Sequence, residues 1–207
     1  KPKTVLITAG PTKEYIDPVR FISNDSSGKM GYLLAEEARK KGAKVILISG
    51  PTNLNPPKNV RTVNIVSAKQ MFEQVFEHIK NCDIFISCAA VSDYKPLRYS
   101  KNKIKKTGKP IILNLTPNPD ILFEVSRLKS HAFRSPFTVG FALESQNIIE
   151  NAKKKLCEKK LDIIIANTVV SINSNKTTGA IITKNEVEKF KNVTKKLLAK
   201  KIISKIL

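Results

Sequence analysis

Residues 10–31 read GPTKEYIDPVRFISNDSSGKMG, and they lie between an apolar run, Val5-Leu6-Ile7, and a helical pattern, Met30-Gly31-Tyr32-Leu33-Leu34. A strand, a long polar loop and then a helix are how an open α/β sheet begins, and that loop is where such a sheet binds its ligand. The loop carries glycines, a Ser26-Ser27-Gly28 turn, Arg20 and Asn24. Backbone N–H groups at a helix start favour anions. The stretch therefore predicts an anionic ligand, foremost a phosphate ester.

Outward from this loop, strands and helices alternate. The first strand falls near residues 4–8. A helix follows over 29–41, with Met30, Leu33, Leu34 and Ala38 on one face and Gly42 as its stop. Strands are expected at 44–49 and 60–66, separated by a Pro-rich loop, 50–57. Ser67 and Gln70 form a capping box for a helix carrying Met71, Val75 and Ile79. The strand at 83–87 runs into Cys88-Ala89-Ala90-Val91-Ser92-Asp93-Tyr94. Residues 95–110 are basic and aperiodic, the pattern of a flap.

A short strand is expected at 111–115. Asn118-Pro119-Asp120 opens a helix, with Pro119 and Asp120 suited to its first turn. Strands at 137–141 and 162–166 flank a helix at 147–160. Residues 171–178 read as a polar loop, and 179–183 with 187–190 as a hairpin around Asn185. An amphipathic helix from Thr194 closes the chain. The fold expected over residues 1–207 is a single α/β domain: a Rossmann-like three-layer sandwich, its sheet mostly parallel with an antiparallel edge.

Two common phosphate loops are excluded. A Walker A loop needs Gly-Lys-Ser/Thr after Gly and four residues, but Gly28-Lys29 precedes Met30 and Ser23 holds the first Gly position. A dinucleotide fingerprint needs a tight Gly-x-Gly-x-x-Gly and an acid ending the second strand. Gly28 and Gly31 supply half of it, and that strand ends Leu47-Ile48-Ser49-Gly50. An NAD(P)-linked reductase, the first rival reading, is disfavoured on both counts.

A chain of 207 residues can bury a substantial core. It has no apolar stretch of the roughly 20 residues that cross a membrane, and its first residues, Lys1-Pro2-Lys3, lack a signal-peptide core. Cys82, Cys88 and Cys157 fit a reducing cytoplasm better than a disulfide framework. His78 and His131 are too few and too far apart for a His-based zinc site. The net charge is +20, yet only six of the 37 basic residues are Arg. Nucleic-acid readers lean on Arg, so a basic nucleic-acid-binding module, the second rival, is also disfavoured. The charge instead fits an acidic small substrate and the Lys-, Ile- and Asn-rich usage of an AT-rich genome.

Small residues after the strand at 83–87 fit either the approach of a planar group to the backbone or tight helix–sheet packing, and Asp93 just beyond lies at the ligand edge of the sheet. The run Lys103-Ile104-Lys105-Lys106 puts cations on the flap. These segments occur in a recognisable order: the 10–31 loop, CAAVSDYKP, KIKK, NPDIL, VGFALES and KKLDIIIAN. Together they closely resemble the bacterial phosphopantothenoylcysteine synthetase family. In many bacteria that ligase of coenzyme A biosynthesis is the carboxyl-terminal half of a fusion with a flavin decarboxylase.

The resemblance implies a reaction and a site. CTP and 4′-phosphopantothenate would form an acyl-cytidylate and pyrophosphate, and L-cysteine would displace CMP. Mg²⁺ would accompany CTP, and no flavin is expected in this chain. Ser87, Cys88 and Ala89 would lie against the cytosine, their backbone offering both donor and acceptor. Asp93 would bind the nucleotide, and Lys103 would stabilise charge at the α-phosphate. Asn118, Pro119, Asp120, Ile121 and Leu122 match the triphosphate-binding helix start. Phe141 would pack on the nucleotide, and Lys155 and Lys159, at i and i+4, would reach phosphate and ribose. Asn24 matches the family's essential Asn, with Arg20 and Ala90 in the same acyl half-site. In this family the Asn loop serves the neighbouring subunit, which implies a homodimer. Departures from the pattern fall at Ser92, Thr116-Pro117, Leu143, Ser145 and the 171–178 loop.

Overall fold

The computed structural model describes residues 1–128, 135–172 and 174–207; His131 and Arg134 fall outside them. Its strands are β1 (Thr4–Ala9), β2 (Lys13–Tyr15), β3 (Phe21–Ser23), β4 (Lys44–Ser49), β5 (Arg61–Asn64), β6 (Ile84–Ser87), β7 (Tyr94–Pro96), β8 (Leu115–Pro117), β9 (Phe137–Glu144), β10 (Ile163–Thr168), β11 (Lys176–Thr183) and β12 (Val187–Thr194). The α-helices are α1 (Lys29–Lys40), α2 (Ala68–His78), α3 (Ile121–Leu128), α4 (Ile148–Glu158) and α5 (Lys195–Ile206).

The main sheet runs β12-β11-β10-β9-β6-β1-β4-β5. It is parallel from β5 to β10 and antiparallel from β10 to β12. Helices cover both faces, which is why the inner strands read as continuous apolar runs. Val5, Ile7 and Ala9 point towards α1 and α5, while Leu6 points towards α2 and α3. Ile164 and Ala166 pack against α4 through Ala152 and Leu156.

The chain enters mid-sheet at β1, winds out through β4 and β5, then returns to β6 on the other side of β1. Strand order reverses between β1 and β6, and ligands bind at that crevice in open α/β sheets. Gly10 and Gly28 meet there. Both have φ +74°, a backbone conformation that favours glycine. A Cβ on Gly28 would come 2.7 Å from Thr52 Cγ2 and 3.2 Å from Gly10 Cα.

Several sequence signals appear as built features. Ser67 and Gln70 form the capping box on α2. Gly42, at φ +86°, follows α1. Thr194 caps α5 by accepting from Leu197 N–H.

Other expectations are corrected. The 10–31 loop contains the β2–β3 hairpin, stapled by Tyr15 against Phe21 at 5.5 Å and by Lys13 Nζ 4.3 Å from the Phe21 ring. Three-residue strands are too short to show an alternation. Residues 111–114 are not a strand. Ile111, Ile112 and Leu113 are exposed, and pairing begins only at Leu115, where β8 meets β7. The strand expected at 137–141 continues through Glu144. The 171–178 loop is shorter than expected, because β11 starts at Lys176 and bulges between Thr177 and Gly179. Asp120 stands before α3 and caps it, its Oδ1 accepting from Phe123 N–H at 2.9 Å.

Candidate active site

The carboxyl ends of β6 and β9, the loop after β6, and the starts of α3 and α4's last turn enclose a cleft of about 470 Å³. Ser87, Ala89, Asp93, Asn118, Pro119, Asp120, Ile121, Leu122, Phe141, Lys155 and Lys159 all line it. Residues far apart in sequence meet because the parallel strands end at one level. Asn118 locks two of these segments together: its N–H donates to the Asp93 carbonyl at 2.7 Å and its Nδ2 to the Ser92 carbonyl at 2.9 Å. The cations of the cleft are paired. Lys155 Nζ is 2.6 Å from Glu144, and Lys159 Nζ is 2.7 Å from Asp120. Burial works to raise the Glu144 carboxyl, but hydrogen bonds from Lys155 and Asn151 prevail and hold it below the usual range.

A second pocket, of about 190 Å³, opens at the switch point over Gly28, Gly31 and the start of α1. Cys88, Ala89, Ala90 and Phe141 line it, so Ala89 and Phe141 form the wall shared with the first cleft. Thr8 sets the backbone here, its Oγ1 accepting from Cys88 N–H at 3.2 Å and Ala89 N–H at 3.3 Å. Ala90 N–H donates to the Gly10 carbonyl at 2.9 Å. These donors are occupied within the chain. Burial pushes the Cys88 thiol up to about 12, against the pull of nearby Lys195.

A family model, the DNA/pantothenate metabolism flavoprotein C-terminal domain, matches residues 1–207. The chain belongs to this family. A curated relative, the coenzyme A biosynthesis bifunctional protein CoaBC of Haemophilus influenzae, is 47% identical over 206 residues. That match takes in 98% of this chain and 51% of the relative, so the chain spans about half the length of the curated relative it matches. Among solved structures, the C-terminal domain of a coenzyme A biosynthesis bifunctional protein CoaBC superposes with a TM-score of 0.84 at 41% identity, covering 99% of this chain and 93% of that one. The DNA/pantothenate metabolism flavoprotein from Streptococcus pneumoniae gives 0.86 at 26% identity, covering 99% and 98%.

Asn24, Arg20 and Lys103, also implied by the resemblance, line neither cavity. Asn24 Nδ2 donates to the Val91 carbonyl at 3.0 Å and approaches that of Ala90 at 3.4 Å. Asn24 thus meets Ala90 of its own chain, where the resemblance implies that its loop serves the neighbour. Arg20 lines neither cavity. Its guanidinium holds Asp17 and the Ile104 carbonyl, and so grips the base of the flap. Lys103, one residue away, also lines neither cavity. Sequence reasoning missed Asp17, which is fully buried, and Thr52, whose methyl packs against Gly10 and Gly28. Nothing in an isolated Asp-Pro or Pro-Thr step signals such a role. Among the described residues no helix is long and apolar enough to cross a membrane.

Proposed function

We propose that this chain is a phosphopantothenate–cysteine ligase domain that uses CTP. The observation that supports this reading is the first cleft, where most of the positions that the resemblance assigns to the nucleotide, Cys88 and Lys103 apart, line one cavity.

In the first half-reaction an oxygen of the 4′-phosphopantothenate carboxylate attacks the α-phosphorus of CTP, and pyrophosphate leaves. In the second, the cysteine amine attacks the acyl carbon, CMP leaves, and the nitrogen loses a proton to give the amide. Ala89 and Phe141 bracket the nucleotide, and Lys155 and Lys159 face it from α4. Lys103 supplies positive charge where it develops at the α-phosphate. Asn24 holds the acyl group with an amide that adds no charge beside a phosphate. Asp93 presents a hard carboxylate oxygen to the cleft, the donor type Mg²⁺ takes alongside phosphate oxygens. When bound, Mg²⁺ neutralises phosphate charge.

Two further parts of the reading have structural support. Free Cys82, Cys88 and Cys157 fit a reducing, cytoplasmic setting. The β2–β3 and β7–β8 hairpins lie together and expose Tyr15, Phe21, Leu97, Ile111, Ile112 and Leu113. An apolar patch of this kind marks an interaction surface, and a second copy of the chain is the occupant we assign to it. Asn24 would then act across a homodimer, in the site of the neighbouring subunit, as the resemblance implies.

The test is pyrophosphate release with CTP, 4′-phosphopantothenate and Mg²⁺, followed by mass spectrometry after cysteine is added. Release without cysteine and amide formation with it are expected. Turnover with ATP equal to that with CTP would overturn the nucleotide assignment, because a base edge read by hydrogen bonds discriminates strongly.

A further inference from the structure

The flap that carries Lys103 leaves the body of the protein between β7 and β8 and has few ties to it. Residues 105–113 are exposed. At its base Leu97 N–H donates to the Asn114 carbonyl at 2.8 Å, and Ser100 N–H to the Ile16 carbonyl at 2.9 Å. Further out, among the described residues, the hydrogen bonds from residues 101–113 to the rest of the chain are those of Ile104. Its N–H donates to Asp17 Oδ2 at 3.1 Å, and its carbonyl accepts from Arg20 Nη2 at 2.6 Å.

Asp17 divides its two oxygens between two tasks. Oδ1 accepts from the N–H groups of Val19 and Arg20, which closes the turn after β2. Oδ2 accepts from the Arg20 guanidinium and from Ile104 N–H. The Ile104 N–H belongs to the peptide group that joins Lys103 to Ile104. That group is planar from one Cα to the next, so holding its N–H also holds the Lys103 Cα. The Lys103 side chain is exposed, and its own surroundings do little to place it. Asp17 has no exposure to solvent. A charge so buried stays in place only while it is paired, which makes this acid a rigid anchor rather than a surface contact.

We propose that Asp17 is a positioning residue for acyl-cytidylate formation: through the Lys103–Ile104 peptide group it holds the flap where Lys103 meets the α-phosphate. The proposal rests on the ligase reading above and extends it to a residue that touches no substrate. A misplacement of about 1 Å can slow a reaction on the order of a hundredfold, so a bond to the backbone beside Lys103 is enough to matter.

Asp17→Asn separates the two tasks. Its amide oxygen can still accept from Val19 and Arg20 N–H, while its NH₂ puts a donor against the Ile104 N–H and the Arg20 guanidinium. Single-turnover pyrophosphate release at neutral pH, with saturating CTP, 4′-phosphopantothenate and Mg²⁺, should be at least about tenfold slower than in wild type. CTP affinity by calorimetry should stay within about threefold, because the loss lies in the transition state. Added to Lys103→Gln, Asp17→Asn should slow release by less than about threefold further, since two residues acting through one contact are not additive. A merely structural role would slow both backgrounds alike. Ile104→Pro deletes the same N–H from the flap side and leaves the buried acid intact. It should show the same loss, so the test stands even where Asp17→Asn does not fold. Release at the wild-type rate in both variants, a full loss repeated on top of Lys103→Gln, or CTP affinity falling in step with the rate would overturn the proposal and leave the ligase reading standing. Wild-type protein that releases no pyrophosphate from CTP would sink the ligase reading itself, and this assignment with it.

Discussion

Asp17 and Arg20 form a fully intrachain clamp: the Arg20 guanidinium lies 2.5 Å from an Asp17 carboxylate that has no exposure to solvent. The same carboxylate accepts from the N–H groups of Val19 at 2.9 Å, Arg20 at 2.8 Å and Ile104 at 3.1 Å. Arg20 Nη2 also donates to the Ile104 carbonyl at 2.6 Å. One acid thus ties the β2–β3 hairpin to the flap residue beside Lys103.

This clamp predicts a pH dependence. Burial pushes the Asp17 carboxyl up, but its hydrogen bonds outweigh that and hold it well below the usual value of 3.8. A depressed folded-state pKa adds stability that is full above about pH 4 and is lost as pH falls through the folded value. Asp17→Asn should therefore melt below wild type at pH 7, with the gap closing below about pH 4. Trypsin should also cut its flap faster at neutral pH. A melting gap that stays constant from neutral to strongly acidic pH would remove the carboxylate charge from this account.

Lys103→Gln should fold normally and lose about 3–4 kcal/mol of transition-state stabilisation in acyl-cytidylate formation, the scale of a preorganised donor. Lys103 is exposed, so its fold contribution is small. Pyrophosphate release near the wild-type rate would reduce it to a solvated charge.

Asn24→Asp should form acyl-cytidylate and fail to convert it. The Asn amide donates to the Val91 carbonyl at 3.0 Å; an ionised Asp cannot donate and would turn negative charge on that carbonyl. Mass spectrometry of a quenched single turnover with cysteine present should show the intermediate accumulating. Product formed at the normal rate would leave Asn24 a turn residue.

Gly28→Ala should destabilise the protein by about 1–2 kcal/mol through its left-handed backbone alone, and by more through the Thr52 methyl 2.7 Å from the new Cβ. Thr52→Ser removes that methyl and keeps the hydroxyl that donates to Tyr32 Oη at 3.2 Å. The double variant should recover part, not all, of the loss in a denaturant melt. No recovery would place the whole cost in the backbone.

Mixing Asn24→Asp with Lys103→Gln should restore activity towards about a quarter of wild type, because half of randomly mixed dimers are hybrid and each hybrid has one intact site. Ile112→Glu, at a residue 87% exposed, should shift the protein to monomer in light scattering. No recovery after verified subunit exchange would put both residues in one chain's site.

The sequence alone determined the layer order and the type of most elements. Buried strands and one-sided helices leave local periodic signals, and caps such as Ser67–Gln70 need only four residues to be read. The family motifs likewise lie in contiguous runs, so the residues proposed to face the nucleotide could be named before their positions were known. Tertiary structure decided what depends on meetings between distant segments. The three-residue hairpins, the engagement of Cys88 and Ala89 N–H by Thr8, the Asp17–Arg20–Ile104 clamp and the convergence of Lys29 with Lys195 all join residues that no local pattern relates. Hydrogen bonds and charges act over a few ångströms of space. Only the fold of the sheet brings the starts of α1 and α5 to one pocket.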